Sequence, residues 1–499
     1  MGDIISLVLF GVLSFLTFTH AMGRSKVVSY PFDKTKNVVF SGPEYFIVLL
    51  LGTAIFQCGM FLSTRLLINE ILCIILYFRY SSNRSLSMPL VLYIVYMIWL
   101  VIGCTYTESM VFGVRTIIKY LYPFVVALVC MKVVSHHEVF LKSGLVARKW
   151  GVVSVLIAYI PVIEPLLFSG VMWYGTARVI NYISLTIFSL TLFYHQKNFS
   201  KSDFFLAIFF MIPCFIATFR TSILGTFVAV SMFFVFKDRM KAIPVLAVIC
   251  VIAVGSVFLI PSLREKTFYD QETTFEQVKE EGVEENEINT NGRTALWKHL
   301  KHKFYEKHKL IGSGTGSVQH DMYTNTDEYS GLKVTHGDYV QMQCDNGNIG
   351  MILYLIAMLS VVIHCFWVYN NLEHNMHVRV CAIAAGASLA GMLATLYSDN
   401  SVNYSMVTLA FPMAFYGMML GLKYKEEDEE IEGKRNKMLA KREEKRKLIN
   451  ANATSFGLRK RKSNNNANAT QQSCYANAKA IITQTQNSLT CRLVVSLTR

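Results

Sequence analysis

Apolar runs long enough to cross a bilayer recur along nearly the whole chain, and no other feature constrains its fold as much. The run IPVLAVICVIAVGSVFLI at 243–260 carries no charge, and about 18 such residues suffice for a spanning helix. Thirteen candidate spans follow from the same criterion: 3–22, 44–61, 64–80, 88–105, 112–133, 150–170, 179–195, 203–219, 221–237, 241–261, 347–369, 378–398 and 404–423. The first lacks a basic lead and a small-x-small cleavage site, so it counts as a span rather than a signal peptide. With 53% hydrophobic and 16% charged residues in 499, the chain is too apolar for a soluble globule. It reads as an all-α polytopic membrane protein with about 12–13 transmembrane helices. Prolines at 123, 161, 165, 213, 244 and 412 fall inside spans, where neighbouring helices re-satisfy the backbone.

Orientation follows from Lys and Arg in short loops and at span ends. Sixteen lie on one side, from Arg24 and Lys26 to Lys241 and Arg379, against five on the other: Arg65, Arg115, Lys119, Arg178 and Arg220. The richer side marks the cytoplasm, and the basic tail after Tyr424 falls on it. Read literally, the alternation puts the N-terminus outside. A net charge of +14 distributed in this way is a topology signal, not a nucleic-acid footprint. Most of the eleven cysteines lie within apolar runs, where cysteine behaves as a small hydrophobe.

Four regions result: a helix bundle at 1–261, a large extracytoplasmic loop at 262–346, further spans at 347–423, and a basic cytoplasmic tail at 424–499. The tail begins as a charged helix and becomes Asn/Ala/Thr/Ser-rich, a composition that favours disorder; its NAT triplets sit on the wrong side for glycosylation. The loop opens with QETTFEQVKEEGVEENE, a solvated acidic run, and its one cysteine, Cys344, excludes an internal disulfide. GRTALWKHLKHKFYEKHKL follows, with Leu296, Trp297, Leu300 and Phe304 on one helical face, an amphipathic helix for the membrane surface or the bundle. Next, GSGTG places Gly312, Gly314 and Gly316 at alternate positions. It is no nucleotide loop, because it follows no apolar strand, lacks the Gly-Lys-Ser/Thr ending and lies away from cellular ATP.

The outward cations are the informative exceptions. Arg178 and Arg220 lie at span ends, and Arg115 and Lys119 are four residues apart on one helix face. Each has two readings. The side chain snorkels to lipid headgroups, or its donors hold a phosphate at the outer hydrocarbon edge. Arg293, opening the amphipathic helix, reaches the same level. Of the five loop histidines, His299, His302 and His308 sit on the basic stretch with Glu306 the one nearby carboxylate, which reads as solvated histidines and no metal site. His336 differs. It stands beside Asp338 and Tyr339 just before a span, where it is either structural or a proton acceptor near neutral pH.

In order, FRTSILG, RTALW, GSGTG and HGDY…DNGNIGMILYL resemble the O-antigen polymerase and O-antigen ligase superfamily over about 178–369. Two departures stand out: Gly337 where the family often has Asn, and Asp345 where it often has Glu. The resemblance implies a GT-C-like, metal-independent glycosyltransferase without cofactors in the bacterial cytoplasmic membrane, its active site on the extracytoplasmic face. Its partners would be an undecaprenyl-pyrophosphate-linked oligosaccharide and membrane lipid, with chain-length regulator and flippase proteins, in capsule, O-antigen or exopolysaccharide synthesis. It assigns Arg220 and Arg293 to the pyrophosphate, His336 to the base, and Arg115 and Arg178 to accessory binding. Gly312, Gly314 and Gly316 would shape a turn that approaches the glycan or the helix of Arg293, with Asp338 and Tyr339 beside the substrate. Polymerase is the first expectation, by family analogy. A ligase with lipid A core or protein as acceptor would use the same residues. A flippase would want charge deep in several spans, and here only Glu70, Lys119 and Glu164 go deep.

Overall fold

The computed structural model describes residues 11–463 except 13, 17, 24, 31–32, 55–61, 81–83, 159–174, 196–200, 217–218, 269–291, 330 and 405–407. The acidic run at 271–287, parts of the spans expected at 3–22, 44–61 and 150–170, Glu164 and the end of the tail therefore lie outside the described residues. Two units partition the chain, 1–426 and 427–499. Among the described residues the first is helical but for loops and one antiparallel hairpin, β1 (Lys26–Tyr30) and β2 (Asp33–Phe40), where the sequence reading had only a short basic loop. In order come α1 (Gly42–Thr53), α2 (Leu62–Arg79), α3 (Met88–Gly103), α4 (Met110–Val133), α5 (His137–Ala158), α6 (Gly175–His195), α7 (Lys201–Ile216), α8 (Arg220–Asp238) and α9 (Ile243–Leu259). After a short α10 (Pro261–Thr267) follow α11 (Arg293–Leu300), α12 (Ser317–Thr324), α13 (Asp338–Asn370), α14 (Met376–Thr395) and α15 (Ala410–Ser463). In the second unit, residues 427–449 are helical and almost wholly exposed, as expected for a run rich in Glu, Lys and Arg.

Four described helices, α4, α8, α13 and α14, are long and apolar enough to cross a membrane, and α3 and α9 are shorter apolar helices. The protein is a membrane protein. On α3 the side chains Val91, Val95, Ile98 and Ile102 point outward, and on α13 so do Ile352, Ile356, Leu359 and Ile363. Exposed apolar stripes at helical spacing are what lipid contact requires. Between helices the seams are lined by small residues, which let backbones approach in the absence of a hydrophobic driving force. A Cβ added to Gly225 of α8 would lie 3.0 Å from the carbonyl oxygen of Gly391 in α14, and one on Gly391 would lie 2.5 Å from the Ala229 Cβ.

Helix starts differ from the sequence reading at several places, most of all at α5 and in the segment before Gly347. α5 begins at His137, so Lys142, Arg148 and Lys149 are helical rather than in a loop; Arg148 is held by the buried carboxylate of Asp203. α13 joins two helices across a kink at Gly347 (φ 65°): the helix after it begins where the span was expected, and the one before it, from Asp338, is additional to the sequence reading. The loop at 262–346 is thus largely structured where described. α11, continued by a π-helical turn at Lys301–Tyr305, buries Leu300 and Phe304 against Val318, Met322, Tyr329, Val340 and Cys344. The amphipathic face covers the protein's own second core.

Candidate active site

Three elements converge on the turn after α14, at Ser398, Asp399 and Asn400. Arg293, first residue of α11, donates from Nη1 to the carbonyl of Ser398. Thr221, next to Arg220 at the start of α8, shares a 2.8 Å hydrogen bond with the Ser398 hydroxyl. Asn400 Oδ1 accepts from the Gly337 N–H at 2.8 Å and from the Thr335 hydroxyl at 3.1 Å, gripping His336 from both sides. Residues from three distant stretches of sequence are thereby joined by one short turn.

His336 has φ 51°, and Arg239 is the other described non-glycine residue with positive φ. Such a conformation costs on the order of 1–3 kcal/mol and persists only where neighbours over-determine it. Those neighbours are visible. Trp297 of α11 donates from Nε1 to the Thr335 carbonyl at 2.8 Å, and Asp338 N–H donates to the Leu396 carbonyl at 2.9 Å. Asp338 Oδ2 accepts from Val402 N–H at 2.9 Å, and the Tyr339 hydroxyl donates to the Leu393 carbonyl at 2.8 Å. Asp338 and Tyr339, read from sequence as lying beside a substrate, tie the histidine segment to the end of α14. Gly337 also has a packing reason: a Cβ there would lie 3.0 Å from the Trp297 ring. The space an Asn would need is filled by the tryptophan of RTALW.

The site is electrostatically loaded. The charges of Arg220 and Arg293 act on each other, and Arg293 acts on His336. Both arginines are half-buried and open helices, where a cation faces the positive end of the helix dipole. Burial lowers the Arg293 guanidinium from its ordinary value, with Asp399 opposing. Burial, and after it the Arg293 charge, holds the His336 imidazole below 6.5. Asp399 is buried, with Oδ1 accepting from Asn400 N–H at 2.8 Å and Oδ2 making no hydrogen bond among the described residues. Burial raises its carboxyl, against the Asn400 N–H and Arg293.

The other candidates are placed apart from this turn or differently from expectation. Arg115 is exposed on α4 over the Phe112 ring at 5.1 Å. Lys119, on the same helix, is buried and donates to Asn403 Oδ1 at 2.5 Å and to Gln319 Oε1 at 3.4 Å. Arg178 lies in the first turn of α6, and its side chain is outside the described residues. Gly312, Gly314 and Gly316 all have positive φ (75°, 104° and 83°) and shape a tight turn. Their close approach is to the protein's own backbone, not to α11: added Cβ atoms would lie 2.4 Å from Asp345, 2.6 Å from Thr107 and 2.5 Å from Phe112. Asp345 Oδ1 caps the start of α12 through Val318 N–H at 2.9 Å, and Gly347 admits the Leu310 carbonyl. Of the histidines on the basic stretch, His299 pairs with Glu328 at 2.8 Å and His302 with Glu306 at 2.7 Å.

Residues 204–355 match the family model described as O-antigen ligase. The resemblance read from the ordered motifs holds over the segment that carries Arg220, Arg293, the three glycines and His336. No curated protein matches the chain. The turn at 398–400 lies beyond the matched O-antigen ligase segment, and the sequence reading did not single it out. Its one signal was SDNS, an aspartate and polar residues between two apolar runs.

Proposed function

We propose that the chain is a GT-C-type membrane glycosyltransferase acting as a polysaccharide polymerase. It would move a glycan from undecaprenyl pyrophosphate onto the non-reducing end of a lipid-linked repeat unit, at the extracytoplasmic face of the bacterial cytoplasmic membrane. The observation that carries this reading is the convergence of Arg293, of Thr221 next to Arg220 and of the residues flanking His336 on the turn at Ser398–Asn400, which brings two helix-start arginines and the histidine segment to one place. Asp399 offsets part of the Arg293 charge, and a multiply charged anion between the guanidiniums would offset more.

In the reaction, the acceptor hydroxyl oxygen forms a bond to the anomeric carbon as the bond from that carbon to the pyrophosphate oxygen breaks. His336 takes the hydroxyl proton, and the pyrophosphate leaves on its lipid with its added negative charge against Arg220 and Arg293. Preorganised charge of this kind contributes about 10²–10³ in rate per donor, and a positioned base about 10²–10⁴. The lowered His336 value keeps the imidazole neutral, hence able to accept, at neutral pH. Arg115, Arg178 and the glycine turn remain accessory in this proposal.

The matched family's description favours a second reading, a ligase whose acceptor is lipid A core or a protein. One experiment separates the two. Purified protein in lipid is given a single undecaprenyl-pyrophosphate-linked repeat unit and no other acceptor. A ladder at multiples of the repeat identifies a polymerase, and transfer only on adding a core acceptor identifies a ligase. Neither product, from a competent substrate, overturns both.

A further inference from the structure

A groove of about 890 Å³ opens at the end of the bundle opposite the arginine pair. It lies between the end of α8, the start of α9 and the end of α13, with Lys423 of α15 at its edge. α8 sets the separation: from Arg220 to Asp238 its 19 residues rise about 28 Å at roughly 1.5 Å each, close to the hydrocarbon thickness of a bilayer of about 30 Å. A lipid-linked substrate held at Arg220 would not reach this groove with its phosphates.

The groove has two chemistries. Val235, Ile243, Leu246 and Trp367 wall it with apolar surface, and Ile243 and Trp367 are 56% and 69% exposed, turned toward where lipid would lie. Arg239 and Lys423 supply positive charge. Two nearby carboxylates are engaged with other groups: Asp238 pairs with Lys237 at 3.0 Å and Glu426 with His374 at 3.1 Å. Arg239 is fixed at the groove by Asn370, whose Oδ1 accepts from Nε at 2.6 Å and whose carbonyl accepts from Nη2 at 3.5 Å. A guanidinium has five donors, so these bonds do not exhaust it. Arg239 also has φ 52°, a backbone geometry that costs free energy to hold and that sets the side chain at the junction of α8 and α9. An exposed tryptophan beside cations at a helix end marks headgroup depth, and basic pockets between spanning helices recognise anionic headgroups.

We infer that this groove binds one anionic phospholipid, its phosphate at Arg239 and Lys423 and its chain along Val235, Ile243 and Trp367. The site is independent of the proposed transfer reaction. It commits to a lipid rather than free phosphate because the apolar walls are continuous with the cation-bearing end.

The test uses full-length protein purified in detergent, with phosphatidylglycerol, phosphatidylcholine or inorganic phosphate added, read by native mass spectrometry and thermal unfolding. Wild type is expected to retain phosphatidylglycerol about fivefold over phosphatidylcholine and to unfold at higher temperature with it. Arg239→Asn combined with Lys423→Gln removes both charges, with asparagine tolerating positive φ; retention should fall to the phosphatidylcholine level. Val235→Trp fills the groove with the charges intact and should do the same. Undiminished phosphatidylglycerol retention in either variant would overturn the site. So would equal retention of the two lipids by wild type, or stabilisation by inorganic phosphate equal to that by phosphatidylglycerol.

Discussion

His336 is held in the left-handed region by a turn that is remote in sequence, and its chemistry depends on that grip. Asn400 Oδ1 receives two buried donors, from Gly337 and Thr335. Asn400→Ala leaves the buried Gly337 N–H without its acceptor, at a cost of about 1–3 kcal/mol, while the Thr335 hydroxyl falls back on the Gly337 carbonyl at 3.2 Å and Gln341 Oε1 at 3.4 Å, and the histidine is released. The expected result is protein that still inserts in the membrane but loses transfer by at least tenfold, measured as initial rate on the lipid-linked repeat. Direct removal of the chemistry should cost more: about 10²–10⁴ for His336→Ala and about 10²–10³ for Arg220→Ala or Arg293→Ala. The pH profile adds an independent check. Because the folded His336 value lies below 6.5, the neutral base persists as pH falls through 6.5, and the acid limb of the rate lies below that value. The linked stability has the same sign, present above 6.5 and lost as pH falls through the folded value. An acid limb centred above 6.5 would exclude His336 as the base. Arg220 and His336 were readable as candidates in the sequence because each is a polar group near an apolar boundary, and Arg293 because it opens the amphipathic helix of the loop. The grip was not, since Asn400 is one asparagine among many until the chain folds.

At the scale of elements, the glycine turn gives the sharpest expectation. Gly314 combines φ 104° with a Cβ site 2.6 Å from the Thr107 Cα, whereas Gly331 has φ 79° and nothing within 4 Å. Gly331→Ala should cost only its backbone strain, about 1–3 kcal/mol. Gly314→Ala adds overlap with backbone that cannot swing away, so its unfolding temperature should fall well below that of Gly331→Ala, as thermal unfolding in detergent would register. Span positions were legible from hydropathy because lipid forces apolar runs into helices whatever they pack against. Helix starts were less so. α5 opens with HEVFLKSGLVARKW, whose charges hide a helix from any hydropathy criterion. The partner of Arg148, Asp203, lies 55 residues away. The glycine spacing announced a turn, but what it packs on could not be read, because Thr107 comes to it from the connection between α3 and α4, Phe112 from α4 and Asp345 from α13.

Among the described residues of the first unit, several cations gather at each of two ends. Arg84 donates to the carbonyls of Met131 and Gly421 at 3.1 and 3.0 Å, and Lys425 to that of Ser135 at 3.0 Å, gathering residues read as cytoplasmic. At the other end Arg293 meets Ser398, and Thr315 Oγ1 donates to the Leu100 carbonyl at 2.8 Å. Which end faces outward is the expectation on which the proposed substrate depends, since a lipid-linked glycan is available to a polymerase only on the outer side. Leu332 near His336 and Leu372 in the turn after α13 are both exposed, at 39% and 80%, and suit cysteine substitution. In intact cells a membrane-impermeant maleimide should label Leu332→Cys above the wild-type background and label Leu372→Cys only after permeabilisation. The native background is favourable, because Cys250 is the one exposed cysteine among the described residues. The opposite labelling would put the arginine pair in the cytoplasm and remove the lipid-linked donor from the mechanism, while the lipid groove at Arg239 would move to the outer leaflet with its chemistry unchanged.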